Sequence, residues 1–446
     1  MDRFQVVYLP VGVPTFHLES ARREFEASAA LLRKLSDSVL VPEEMLLSLE
    51  ALKEFTRGLH PDLIIFQNVT FANGAYISEV LARFACPILL WTLREPVIDG
   101  GRLRLNSLTG AYSAANTIRA FRQEPFTYVF GSPGEEAVAR TVAAAIRAAE
   151  LRRDLKSLRI AAVGHTPEGF GFGRALDNEL RTVFGAKLES IEARELIDSA
   201  KTYTEQQTRE YLALAEQRIL GLEQMPEQNR MDFARLYRAY REYAAQNDIG
   251  ALASRCWPDF FTAFGTPVCA VLSILNDIGI AASCEGDLYG ALSVYLAMRA
   301  AGAPAFFGDP VSLDEGENTL TFWHCGMAAC SLARQEPGAC ADIHCNRKIG
   351  PTMEFGCRPE QAVTIFRVGR KPEGGFRFFL ARGQALDKPK QFNGTSVVVK
   401  TERPVYGLVE RSVLAGWEPH FAVAYGDIAK ELAILGNMLN IEVEEY

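Results

Sequence analysis

At 446 residues, with 48 % hydrophobic and 23 % charged side chains, the chain has the composition of a soluble globular protein with mass for two or three domains. A net charge of −8 without a basic block argues against a general nucleic-acid binder, yet leaves room for a small anionic substrate. No run of about 18 uninterrupted apolar residues marks a membrane span, and residues 1–10 carry no cleavable signal pattern, so no membrane partner and a cytoplasmic location are expected.

The first segment alternates strand-like and helical runs. Gln5–Leu9, Leu63–Phe66, Ile88–Trp91 and Phe126–Phe130 read as strands, and His17–Leu35 as an amphipathic helix. This alternation predicts βαβ units around a parallel sheet. The crevice beyond its strand ends would hold Gln67, Asn68, Thr92 and Glu95, for which ordinary loop polarity is the alternative. A charged helical passage, Glu135–Ser157, leads to a second unit that opens with the strand Leu158–Val163. The loop that follows, Gly-His-Thr-Pro-Glu-Gly-Phe-Gly-Phe-Gly at 164–173, suits close approach to a ligand but matches neither a dinucleotide nor a phosphate-loop pattern, and His165 reads as a loop residue. Glu205–Glu223 and Glu227–Gln246 read as solvated packing helices.

From Gly250 the chain turns to Cys, Gly, Ala and aromatic residues, as in a close-packed interior. Glu285 emerges at the end of one apolar run, and Asp309 at the end of the short strand Ala303–Phe307. Leu320–Trp323 is a further strand, ending at His324. Carboxylates at the ends of buried runs are costly unless paired, and a divalent metal is the usual partner. Asp287 reads as the N-cap of a helix over Leu288–Ala300. Nine cysteines, an odd number, agree with a reducing compartment. Cys325, Cys330, Cys340 and Cys345 cluster near His324 and His344, but no Cys-x-x-Cys pair occurs, so free thiols are expected rather than a zinc site. In the last hundred residues Val363–Arg367, Phe376–Ala381, Ser396–Lys400 and Val405–Leu408 read as short strands of a small antiparallel barrel or sandwich, followed by a terminal helix through Leu439. His420 is the only histidine of this tail, and its surroundings in sequence do not decide between ligand and surface residue.

Six motifs occur in a fixed order: Ser-Cys-Glu-Gly-Asp-x-x-Gly-Ala-Leu-Ser from 283, Gly-Asp-Pro at 308–310, Trp-His-Cys-Gly at 323–326, Gly-Pro-x-x-Glu-Phe-Gly at 350–356, Asn-Gly-Thr-Ser at 393–396 and Pro-His-x-x-x-x-Tyr-Gly-Asp at 419–427. Together they resemble the L-fucose isomerase and arabinose isomerase superfamily over essentially the whole chain. The resemblance implies an α/β protein of two doubly wound parallel-sheet domains, at 1–155 and 156–340, followed by a C-terminal β-barrel domain with a terminal helix at 341–446. It implies a Mn²⁺-dependent aldose–ketose isomerase that assembles as a homo-oligomer, a hexamer being favoured. By the same resemblance Glu285, Asp309 and His420 are the metal ligands, His324 is a further one, and the two carboxylates are the catalytic pair. Where the family often has two adjacent histidines near the late site, the first position here is Pro419.

The chemistry suits these residue types. Moving a proton between C1 and C2 of an open-chain sugar requires polarisation of the carbonyl, which a divalent metal supplies, and an acid–base pair, which two carboxylates supply. The sugar stays open: a neutral deoxysugar or pentose such as L-fucose or D-arabinose, or an acidic hexose such as sulfoquinovose. An anionic group would call for an arginine clamp, and Arg94, Arg255 and Arg347 are candidates, each with an ordinary ion-pair or packing role as the alternative. Asn68 and Trp91 are candidates to complete the site of a neighbouring subunit. A non-catalytic sugar-binding relative is the rival reading, and a zinc hydrolase is disfavoured by the lack of a His-Glu-x-x-His motif.

Overall fold

The computed structural model of the chain describes residues 3–121 and 125–446. Its first strands are β1 (Val6–Val11), β2 (Val39–Leu40), β3 (Leu63–Asn68), β4 (Ile88–Thr92) and β5 (Thr127–Phe130), which form a parallel sheet in the order β2-β1-β3-β4-β5. Every residue of β1, β3 and β4 is buried, as expected of strands covered on both faces and therefore apolar from end to end rather than alternating. The intervening helices bury one stripe each: Phe25, Ala29 and Leu32 on Leu18–Leu35, and Ile77, Val80 and Leu81 on Gly74–Arg83. This sheet belongs to a compact unit that extends to Asp154 and includes Lys430–Asn440.

The other unit, Leu155–Ala429 with Ile441–Tyr446, contains a second parallel sheet and a barrel. The sheet runs β7-β6-β8-β9, from β6 (Arg159–Val163), β7 (Lys187–Ile191), β8 (Ala251–Ser254) and β9 (Ala281–Ser283). The barrel strands are β10 (Ala305–Asp314), β11 (Thr319–His324), β14 (Glu360–Arg370), β15 (Phe376–Ala385), β16 (Thr395–Thr401) and β17 (Phe421–Tyr425). They run β16-β11-β10-β17-β14-β15, and pairing of β15 with β16 closes the ring. β12 (Cys340–Asp342), β13 (Thr352–Gly356) and β18 (Glu442–Glu445) extend the sheet outside the ring. No helix among the described residues is long and apolar enough to cross a membrane.

The structure departs from three sequence expectations. β10 does not stop before Asp309 but runs through Pro310 to Asp314, with a register shift between Pro310 and Ser312 against β11. Asp309 is thus inside a strand beside a bulge, a position that re-aims side chains, and not at a strand end. The barrel also begins at Ala305, upstream of residue 341, because β10 and β11 form a hairpin whose other edge pairs with β17 near the C-terminus. Finally, Val405–Leu408, read as a strand, is the first turn of a helix over Val405–Leu414. Pro404 sits at its N-cap, and Val405, Leu408 and Ser412 are buried at helical spacing. Leu408, Val409 and Val413 of this helix close an apolar cavity of about 480 Å³ whose other walls include Leu320, Phe322, Ile365, Phe379 and Phe421 of the barrel.

Gly308, next to Asp309, leaves no room for a side chain. A Cβ there would lie 2.5 Å from the Trp323 carbonyl oxygen across the β10–β11 pair. Gly308→Ala should therefore lower stability by about 1–3 kcal/mol, read as a lower urea midpoint. An unchanged midpoint would show that the hairpin can part without cost.

Candidate active site

Strand register brings the functional side chains together. Gly308 pairs with Phe421 and Asp309 with Trp323, so Asp309, His324 and His420 meet where β10, β11 and β17 run side by side. Glu285 arrives from β9, on a turn in which it adopts φ +59°, uncommon for a residue with a side chain. The glycine-rich loop supports this turn. Thr166 donates through its hydroxyl to the Gly286 carbonyl at 3.1 Å, and a Cβ on Gly173 would lie 2.7 Å from Asp287 Cα. From the same loop, the Phe172 ring packs edge-on against His420.

Asp287 caps the helix Leu288–Ala301 by accepting from the Gly290 amide at 2.8 Å, as its place in the sequence suggested. It does more than that. Its carboxylate accepts two hydrogen bonds from Arg367, at 2.5 and 3.1 Å, and lies 2.9 Å from His420 Nδ1. All three side chains are essentially without exposed surface. Because Nδ1 is engaged, His420 turns Nε2 toward Glu285 Oε2 at 3.1 Å and Asp309 Oδ1 at 3.5 Å. A carboxylate behind a histidine that fixes the ring and its free nitrogen is the usual support of a metal-ligating imidazole.

Donor atoms of Glu285, His324 and His420 all lie within 4.8 Å of one another. His324 is buried and its Nε2 has no hydrogen-bond partner, while its Nδ1 is 2.9 Å from the Cys325 amide nitrogen. An orphaned buried nitrogen among two carboxylates and a second imidazole is a donor set suited to a divalent cation. His324, set below Asp309 in the sequence reading, belongs to the tightest group, and Asp309 joins it through His420.

Electrostatics reflect this crowding. Burial raises the Glu285 carboxyl, but the hydrogen bond with His420 and the His324 and His420 charges outweigh it, leaving the group below the usual carboxylate range. Burial dominates at Asp309, pushing it up to about 6 with the neighbouring carboxylates adding to the effect. Burial likewise pushes His324 down to about 4. At His420 burial is overcome by Asp287 and Glu285, and the imidazole is held up at about 9. Beside the site, hydrogen bonds with the Cys256 and Cys269 thiols, together with burial, raise Cys284, and burial raises Cys325. None of the nine cysteines is in a disulfide.

The remaining sequence candidates separate clearly. Trp91 is core and not a pocket wall: it is wholly buried, and its indole N–H donates to the Gly131 carbonyl at 2.9 Å. Asn68 is also buried, with both amide atoms unpartnered. Arg94 is held by Glu135 through two bonds, at 2.7 and 2.9 Å, and Arg255 by Asp259 at 3.4 Å and by His165. Arg347 lines the same pocket as Glu285. Sequence reasoning missed Arg367 and the second role of Asp287. The available signal was an arginine inside an otherwise apolar strand, which must find an acid.

Removing Arg367 would leave Asp287 charged, buried and short of donors. Arg367→Met should cost about 3–5 kcal/mol of unfolding free energy, with part recovered by adding Asp287→Asn, which keeps the cap. Equal denaturation midpoints for Arg367→Met and the parent would show that the pair contributes nothing.

No family model matches the chain. It is 61 % identical over 446 residues, covering all of both chains, to a sulfoquinovose isomerase of Clostridium sp. (strain MSTE9). It is 38 % identical over 99 % of both chains to a sulfoquinovose isomerase of Alkalicoccus urumqiensis, and 38 % identical over the full length of both to one of Priestia aryabhattai. Identity of this extent leaves no part of the chain outside the match, and the protein is an aldose–ketose sugar isomerase that belongs to the sulfoquinovose isomerase family.

Proposed function

We propose that the chain converts sulfoquinovose to its ketose, sulfofructose, through an enediolate, using Glu285 and Asp309 for proton transfer. The observation that carries this is the pair of carboxylates on one imidazole nitrogen, His420 Nε2, next to the unpartnered Nε2 of His324. Glu285, His420 and His324 would hold a divalent cation, Mn²⁺ in this reading, with Asp309 as the fourth candidate ligand. When bound, the cation polarises the sugar carbonyl and favours charge on the neighbouring oxygens. Glu285, kept ionised, takes the proton from C2 and returns it to C1. Asp309, poised at about 6, can give and take a proton near neutrality and moves the hydroxyl proton between O2 and O1. Asp287 keeps the His420 ring in place throughout.

The order of the six motifs supports placing the family within the wider L-fucose and arabinose isomerase superfamily, and with it a homo-oligomeric, hexameric assembly. Nine cysteines outside any disulfide support a cytoplasmic location.

Turnover of sulfoquinovose, followed by NMR in D₂O, should vanish on chelation and return with Mn²⁺. Glu285→Gln should lower it by at least about 100-fold and stop deuterium entering the carbon-bound position. Turnover that survives chelation would overturn the metal reading, and a fully active Glu285→Gln the assignment of the base.

Proton competition makes a second test. Below pH about 9 His420 carries a proton that a cation must displace, and below about 6 Asp309 carries another. Metal affinity should thus rise roughly tenfold per pH unit from 6 to 9 and more steeply below 6. Calorimetry in buffers of different ionisation enthalpy should show about one proton released per ion at pH 7. An affinity constant across this range would mean that His420 is not a ligand.

A further inference from the structure

Proton transfer at C1 and C2 does not explain how an acidic sugar is told from a neutral one. We propose that Arg347 binds the anionic group of the substrate and sets the preference for a sulfonated hexose, an inference that rests on the isomerase reading above. Glu285 forms one wall of a pocket of about 110 Å³, and Arg347, Asn346, His344, Trp257 and Phe261 contribute to the others. The pocket thus joins a proton-transfer carboxylate to a cation.

Arg347 differs from the other arginine candidates in what it touches. Arg94 and Arg255 are each bound to a carboxylate, and Arg367 is sealed against Asp287. The Arg347 guanidinium has no carboxylate partner among the described residues. It lies over the Trp257 and Phe261 rings, 5.5 and 5.9 Å from their centroids. Aromatic faces hold a guanidinium in place without neutralising it, and leave its N–H edges available to an oxyanion. A sulfonate presents paired oxygens of the kind that this planar fork bonds two at a time.

The loop that carries Arg347 is anchored. His344 is buried, its ring packs edge-on against Phe261 at 5.2 Å, and its Nδ1 accepts from the Asn346 and Arg347 amides at 3.2 Å each. His344 is therefore a positioning residue for Arg347, and the cation is held in place before substrate arrives, which reduces the ordering cost of binding.

Arg347→Met keeps the aliphatic stem on the rings and removes the fork, while Arg347→Lys keeps the charge. The ratio of kcat/KM for sulfoquinovose to that for its neutral 6-deoxy counterpart should fall at least about 30-fold in Arg347→Met, chiefly through KM, with partial recovery in Arg347→Lys. Binding of the sulfonated alditol, which cannot isomerise, should weaken at least about tenfold by calorimetry in Arg347→Met, the neutral alditol much less. Unchanged ratios and unchanged alditol affinities in Arg347→Met would overturn the proposal. A parent protein that binds the sulfonated alditol through Arg347 but turns over no sugar would overturn the isomerase reading and leave this one standing.

Discussion

The buried carboxylate of Asp287 is the point on which the site depends. One group, with almost no exposed surface, terminates a helix, neutralises an arginine from a barrel strand and orients His420. Each partner comes from a different part of the fold: the helix behind β9, strand β14, and the residue before β17. A buried charge tolerates little displacement, since any lost partner leaves it unsolvated. Parallel sheet and barrel are thereby locked in one relative register at the position where the chemistry must be accurate to fractions of an ångström.

Around that anchor the charges are arranged in opposition. Three acids and one easily protonated imidazole share a small volume, and although burial raises both carboxyls a few ångströms from the same nitrogen, the hydrogen bond with His420 holds Glu285 low while Asp309 stays high. Divergence of this kind is how two carboxylates of one site can take two roles. Beside Glu285, the Cys284 thiol is raised by its hydrogen bonds with Cys256 and Cys269 and by burial, and the three sulfurs line the same pocket.

Much of the site was legible residue by residue. Glu285, Asp309 and His324 announced themselves as polar side chains on apolar runs, and Asp287 as a cap, because burial cost and helix capping are local rules. What misled was also local. The Val405–Leu408 run has strand-like side chains, yet Pro404 starts a helix there, and packing over the barrel mouth keeps it helical. Trp91 at a strand end reads as a candidate for a neighbouring subunit's site, yet the sheet is covered and the ring is wholly buried.

By itself the sequence determined the alternation of strands and helices, the parallel character of the first sheet and the identity of the acids, since hydrophobic periodicity and the cost of buried charge act over a few residues. Tertiary structure alone decided that Asp287 and Arg367 stand behind His420, and that Arg94 and Arg255 are bound to carboxylates while Arg347 lies over aromatic rings. The pairings of Asp287 with Arg367 and His420 join residues separated by 80 and 133 positions. No short-range rule encodes them; they exist only once barrel closure has set the register.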